Sequence, residues 1–137
     1  MNTDGTCEDR IQDALTNRRE DIAEYLENWK QFRYAPYPGA RGSALERSGL
    51  ALCLDAREEE LSNGKYKVDH YDLTLSWGGP SDGVRFFKDG RIEYYFMDWY
   101  DGATVDVSNE ILFFQLYKNI KTLRDYSSKK LMTWRAV

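Results

Sequence analysis

Apolar residues recur at helical spacing through the first quarter of the chain. Ile11, Leu15, Ile22, Leu26, Trp29 and Phe32 fall three, four or seven apart, which predicts one amphipathic helix over 8–33. Thr6 with Asp9 three residues on makes a capping-box start, and Glu20, Asp21 and Glu24 make the polar face acidic. The helix should stop before Tyr34-Ala35-Pro36-Tyr37-Pro38-Gly39, where two prolines and a glycine predict a loop. Ser43-Ala44-Leu45-Glu46 is a second capping box and predicts a second helix to about Leu61. Leu50, Leu54 and Leu61 share its face, with Leu45, Leu52 and Ala56 close by, and Ser62-Asn63-Gly64 supplies its stop. Leu50, Leu52 and Leu54 also alternate as a strand would, but the polar run from Asp55 to Glu60 favours the helix.

The period then changes to two. Between Lys65 and Trp77, the residues Tyr71, Leu73, Leu75 and Trp77 point one way, and Asp72, Thr74 and Ser76 the other. Gly78-Gly79-Pro80-Ser81-Asp82-Gly83 reads as a loop, followed by a short strand from Val84 to Lys88. Asp89-Gly90 is a hairpin signal, Arg91 to Tyr100 a long strand apolar on both faces, and Asp101-Gly102 a second hairpin signal before Ala103, Val105 and Val107. Ser108 is placed to cap a helix from about Asn109 to Asp125. Leu112, Leu116, Ile120 and Leu123 share a face there, and Ile111, Phe113, Phe114 and Tyr117 widen it enough to predict burial on more than one side. Met132, Trp134 and Ala136 alternate in a tail that suits an edge strand or a cover for apolar surface. The expected architecture over 1–137 is a single α+β domain: a four-stranded antiparallel meander packed on an N-terminal helix pair and a C-terminal helix.

Composition agrees with a folded chain, at 42% hydrophobic, 31% charged and 15% aromatic residues. No apolar run approaches the roughly 18 residues of a membrane span, so no membrane partner is expected. Met1 to Thr6 lacks the basic and apolar regions of a signal peptide. Two cysteines, Cys7 and Cys53, build no disulfide framework, so a reducing cytoplasm is the expected location. The net charge of −4 is unevenly spread. Residues 67–110 hold nine acids against four bases, whereas 111–137 hold Asp125 against Lys118, Lys121, Arg124, Lys129, Lys130 and Arg135. Such asymmetry bears on partners rather than on fold.

Few residues offer catalysis. Cys53 and His70 are the only nucleophile–base candidates, and Cys53 lies in an apolar run that reads as core. One histidine and two scattered cysteines have no zinc spacing. Asp98, Asp101 and Asp106 could gather on a hard cation, but they flank hairpin turns, where aspartate serves the backbone. Glu93, Asp98 and Asp101 flank aromatic residues as glycosidase carboxylates do, but a small sheet leaves little room for a cleft. Trp77, Trp99 and Tyr100 would suffice for a carbohydrate- or ligand-binding face. Gly78 to Gly83 has no lysine, and Asp82 would repel phosphate. The C-terminal bases interleave with Tyr117, Tyr126 and Trp134, but an isoelectric point near 5.1 opposes direct nucleic-acid binding. The reading is therefore non-enzymatic, with no cofactor and no metal.

The densest chemical signal is acidic. Asp69, Asp72, Asp82, Asp89, Glu93, Asp98, Asp101 and Asp106 all fall in the meander and its turns. On a rigid sheet such a row presents negative charge near the ~3.4 Å phosphate spacing of one DNA strand. Trp99 and Tyr100 would anchor it on a basic protein partner.

Leu75-Ser76-Trp77-Gly78-Gly79-Pro80, with Tyr94-Tyr95-Phe96-Met97-Asp98-Trp99 about twenty residues on, resembles a pattern in small counter-defence proteins of phages and conjugative elements. Anti-CRISPR proteins are among them. The resemblance spans about 71–107. It implies a stoichiometric, non-enzymatic inhibitor that binds a Cas effector and blocks its nucleic-acid engagement through an acidic surface. The basic tail departs from a whole-protein nucleic-acid mimic, though not from a mimic face. Other classes remain open: an immunity- or adaptor-type module with one cognate partner, or the small ligand binder above. Exposed aromatics and an unpaired edge strand also make a second copy of the chain a candidate partner.

Overall fold

The first helix opens as its capping box requires. The Thr6 hydroxyl accepts the Asp9 amide at 3.3 Å, and the Asp9 carboxylate accepts the Thr6 amide at 3.2 Å. In the computed structural model, which describes residues 5–32, 49–51 and 53–121, this helix, α1, runs Cys7–Phe32. It buries Cys7, Ile11, Ala14, Leu15, Ile22 and Tyr25 along one stripe.

Five antiparallel strands follow in sequence order: β1 Cys53–Glu60, β2 Tyr66–Ser76, β3 Ser81–Phe87, β4 Ile92–Asp98 and β5 Asp101–Asp106. A second helix, α2, begins at 111 and is described to 121. The α+β class is as expected, but the described residues hold five strands and two helices rather than four and three. The predicted loop at Tyr34–Gly39, the second capping box at Ser43–Glu46, Leu52 and the tail beyond 121 lie outside the described residues.

The extra strand is the largest departure. Residues 53–60 pair with β2 instead of coiling, and Leu54 stands opposite Leu73. Glutamates at 58–60 favour helix only weakly, and an 11-residue β2 offers a ladder of backbone bonds that outweighs the preference. Ser62-Asn63-Gly64 is accordingly a hairpin turn. The Leu61 amide bonds the Lys65 carbonyl at 2.7 Å, and Gly64 takes the left-handed conformation at φ 80°. Exposed Glu58, Glu59 and Glu60 line this outer edge, so two copies meeting there would set like charges together.

Cross-strand rows separate the two faces of the sheet. Leu54, Leu73, Val84, Tyr94 and Val105 form one row, and Tyr71, Phe86 and Ile92 the next. Both helices cover this inner face. Phe86 meets Tyr117 of α2 with ring centroids 5.8 Å apart, and Arg10 of α1 lies over the Phe96 ring at 5.0 Å. The outer face carries Asp55, Asp72, Arg85, Glu93 and Asp106 in one row.

Four further expectations are corrected. β3 begins at Ser81, so Asp82 and Gly83 are strand, not loop. The second tight turn is Trp99–Tyr100, with Asp98 paired to Asp101, because Asp101 is drawn to the start of α1, as described below. The Ser108 hydroxyl accepts the Ile92 amide at 2.8 Å rather than capping α2. On α2, Phe113 and Leu116 are buried but Ile111 and Phe114 are exposed, so that helix is covered on one side only, and Lys118 lies over the Phe114 ring.

Candidate functional site

The strand carboxylates do not form an open acidic face. Asp82 points inward in a row with Phe96 and is 4% exposed. It accepts two bonds from Arg18, Nε at 2.7 Å and Nη2 at 2.9 Å, one from the Tyr94 hydroxyl at 2.6 Å and one from Ser76 at 2.5 Å. Burial and this carboxylate together push the Tyr94 phenol far above its ordinary range. Asp72 lies on the outer face but is also buried. The Tyr95 hydroxyl donates to it at 2.8 Å. Burial, then this bond, pushes the Tyr95 phenol up to about 12. Glu93 lies between Arg91 at 3.6 Å and Arg85 at 4.0 Å. Asp69 is bonded to His70 at 2.8 Å. Asp89 accepts the Arg91 amide and Asp106 the Ser108 amide, as aspartates do at turns. Asp72, Glu93 and Asp106 do share one outer row, but Arg57, Arg85 and Arg91 neutralise much of it.

The structure does bring Asp98, Trp99, Tyr100 and Asp101 together at one end of the sheet, and it adds Trp77. Ser76 is opposite Asp82 and Ser81 opposite Met97, so the β2–β3 connection and the β4–β5 turn emerge side by side. A Cβ on Gly79 would stand 3.5 Å from the Asp98 carboxylate. α1 locks this end from beneath. Arg10 Nη1 bonds Asp98 at 2.6 Å, and the Cys7 amide donates to Asp101 at 2.7 Å. The Cys7 amide holds the Asp101 carboxyl below the usual carboxylate range, with help from Gly102.

The aromatic residues of this end are outward. Trp77 is 72% exposed, Trp99 89% and Tyr100 104%. Trp99 also has φ 56°, the left-handed region that disfavours a bulky side chain and costs roughly 1–3 kcal/mol where it is imposed. Glycine would be the conformationally easy residue here, and the indole gains no packing in return. Folding stability therefore gives no account of a tryptophan at this position.

A second acidic feature was legible only as a helix period. Asp9, Asp13, Glu20, Glu24 and Glu27 lie on one ridge of α1, because steps of four, seven, four and three return to the same side. Asp13, Glu20 and Glu24 are exposed, with no ion pair among the described residues. Glu20 and Glu24 mark that face as acidic in the sequence, and the ridge extends it along the helix. The ridge begins at the end of the molecule that carries Trp99.

Catalytic geometry does not assemble among the described residues. Cys53 is opposite Thr74 and His70 opposite Arg57, roughly 13 Å apart along the strand. Burial raises the Cys53 thiol. Among the described residues, no three His, Cys, Asp or Glu side chains converge to hold a metal ion, and no helix is long and apolar enough to cross a membrane. Hollows of about 220 and 260 Å³ open along α1, beside Arg18 and Glu24 and between Leu26 and Lys118. Neither is lined by Trp77, Trp99 or Tyr100. No family model, curated protein or solved structure matches the chain. The fold and its exposed end must therefore speak for function on their own.

One consequence is a pH dependence. Asp101 has a depressed folded pKa, so its contribution is fully present above about 3.8 and is lost as pH falls through the lower folded value. Asp101→Asn should narrow its stability gap to the wild type below that pH, read from urea midpoints across about pH 2–7. A gap independent of pH would show that the bond to Cys7 does not need the ionised carboxylate.

Proposed function

We propose that this chain is a non-enzymatic inhibitor that binds a basic protein partner and blocks that partner's engagement of nucleic acid. The resemblance of residues 75–80 and 94–99 to counter-defence proteins favours a CRISPR–Cas effector as that partner. The observation that carries the reading is the Trp99–Tyr100 turn, which presents two unpacked aromatic side chains on a backbone fixed by Arg10–Asp98 and Cys7–Asp101. Aromatic side chains of this kind dominate interface energetics when a partner supplies the pocket. A side chain about nine-tenths exposed stands proud of its surroundings, which favours a knob that enters a partner's cleft over a cleft that takes a small ligand. The acidic ridge of α1 supplies the electrostatic half. It draws in a basic groove, and once docked it repels phosphate from the same place.

Capture from a CRISPR-bearing host lysate, followed by mass spectrometry, tests the reading. The wild-type chain should recover a Cas effector, and binding should weaken roughly tenfold between about 50 and 300 mM salt. Trp99→Gly should raise folding stability by about 1 kcal/mol, because glycine relieves the left-handed backbone, and should still lower capture at least tenfold. Retained capture by Trp99→Gly, or recovery of one non-Cas protein only, sinks the inhibitor reading. The latter would leave the adaptor class.

A further inference from the structure

We infer that the aromatic end receives cationic side chains, arginine or lysine, from an extended segment of a protein. This rests on the protein-binding reading above and names the chemistry its contact surface would recognise.

The argument begins with how the chain treats its other rings. Arg91 lies over Phe87 at 4.0 Å, Arg85 over Tyr95 at 4.3 Å, Arg10 over Phe96 at 5.0 Å and Lys118 over Phe114 at 5.4 Å. Two rings at the surface, Phe87 and Phe114, and two buried ones, Tyr95 and Phe96, are thus covered by the chain's own cations, an arrangement in which the ring quadrupole attracts the charge. Trp77, Trp99 and Tyr100 have no such cover and no hydrogen bond or ring contact among the described residues.

Among the described residues, the exposed charge around those three rings is acidic. Asp98 and Asp101 border the turn, and exposed Glu8 and Asp9 open α1 directly beneath it. The nearest base, Arg10, is 6% exposed and already bonded to Asp98, so it offers nothing to an incoming anion. Open π faces beside Asp101, Glu8 and Asp9, none of which has an ion pair among the described residues, suit a guanidinium or ammonium group, which can stack on a ring while it bonds an acid. A phosphate-bearing ligand would meet repulsion at every edge. A neutral sugar would find the rings but would leave the local charge unused, and strongly projecting side chains make no cleft around it.

The titration that tests this uses the full-length protein and a nona-arginine peptide, followed through the ¹H–¹⁵N indole signals. Trp77→Phe and Trp99→Phe assign the two relevant signals. The Trp77 and Trp99 indoles should shift with peptide while that of Trp29, half-buried at the far end of α1, stays in place. Apparent affinity should fall roughly tenfold between about 50 and 500 mM salt. Trp99→Leu, which keeps apolar area without a π face, should weaken binding roughly two- to fivefold. Nona-glutamate and cellohexaose should leave both signals unmoved.

Shifts confined to the amides of Asp13, Glu20 and Glu24 would assign cation binding to the α1 ridge and overturn the inference. Shifts caused by cellohexaose and not by the peptide would turn the end into a sugar platform, and silence with every probe would remove it as a cation site. The lysate experiment fails separately. A positive titration with no effector captured ends the inhibitor reading and leaves cation recognition standing. Effector capture with a silent titration does the reverse.

Discussion

Asp82→Ala should destabilise the protein by about 3–5 kcal/mol, the usual consequence of removing one partner from a buried ion pair. Asp82 is 4% exposed and accepts bonds from three side chains: Arg18, Tyr94 and Ser76. Its loss leaves a guanidinium with only the more exposed Asp21 at 3.2 Å, and leaves the hydroxyl of a fully buried tyrosine without its acceptor. A domain of this size has roughly 5–15 kcal/mol in all, so the urea midpoint should move far towards zero. Replacing the cluster together, with Arg18→Met, Asp82→Leu and Tyr94→Phe, should cost much less than Asp82→Ala alone, because no orphaned charge or hydroxyl remains. A loss below about 1 kcal/mol for Asp82→Ala would mean that the carboxylate is not the organising centre of this core. The same variant separates two roles for Asp82. As a contact residue its loss would weaken binding at unchanged stability, whereas its position in the interior makes stability the property that moves.

Gly83→Ala should be nearly as damaging, by about 3 kcal/mol or more. Gly83 lies opposite Tyr95 across β3 and β4. A Cβ there would fall 2.5 Å from the Leu73 carbonyl oxygen of β2 and would overlap the Tyr95 hydroxyl. The carbonyl belongs to the ladder and cannot swing away. The hydroxyl can leave only by giving up its bond to Asp72. Tyr95→Phe should therefore cost stability in the wild type yet soften the penalty of Gly83→Ala, since the oxygen is gone and the ring, whose Cζ lies 2.6 Å from the new Cβ, is no longer tied to Asp72 and can shift. Additive effects of the two substitutions, measured as urea midpoints in a double-mutant cycle, would show that the tyrosine does not press on the glycine.

Both effects concern residues whose types are easily read as something else. Asp82 and Gly83 lie in a stretch that includes Gly78-Gly79-Pro80, and such composition says loop. In the structure the strand starts at Ser81. Glycine at 83 is there for the close approach of a ring and a carbonyl, not for a turn. The helix expected over 53–60 failed for a related reason. Charged residues compatible with a helix are equally compatible with an exposed edge strand, and the choice belongs to β2, which supplies the partner. The Asp101-Gly102 signal named the right hairpin but the wrong pair of turn residues. Asp101 is held by the Cys7 amide, 94 positions away in the chain, and that bond lies beyond any local turn rule.

The sequence by itself determined what depends on period. α1 with its cap, the alternation of β2 that sets Tyr71 and Leu73 on one face, and the acidic outer face of α1 all follow from which residues recur every two or every three to four positions. Tertiary structure decided which charge meets which. α1 carries Arg10 to Asp98 across 88 positions and Arg18 to Asp82 across 64. It thereby turns carboxylates that looked like a surface into a buried frame and leaves Trp77, Trp99 and Tyr100 as the exposed end of the sheet. The physical reason is range. Periodicity is a property of neighbours along the chain, whereas the state of a charge is set by whatever lies within a few ångströms of it in space.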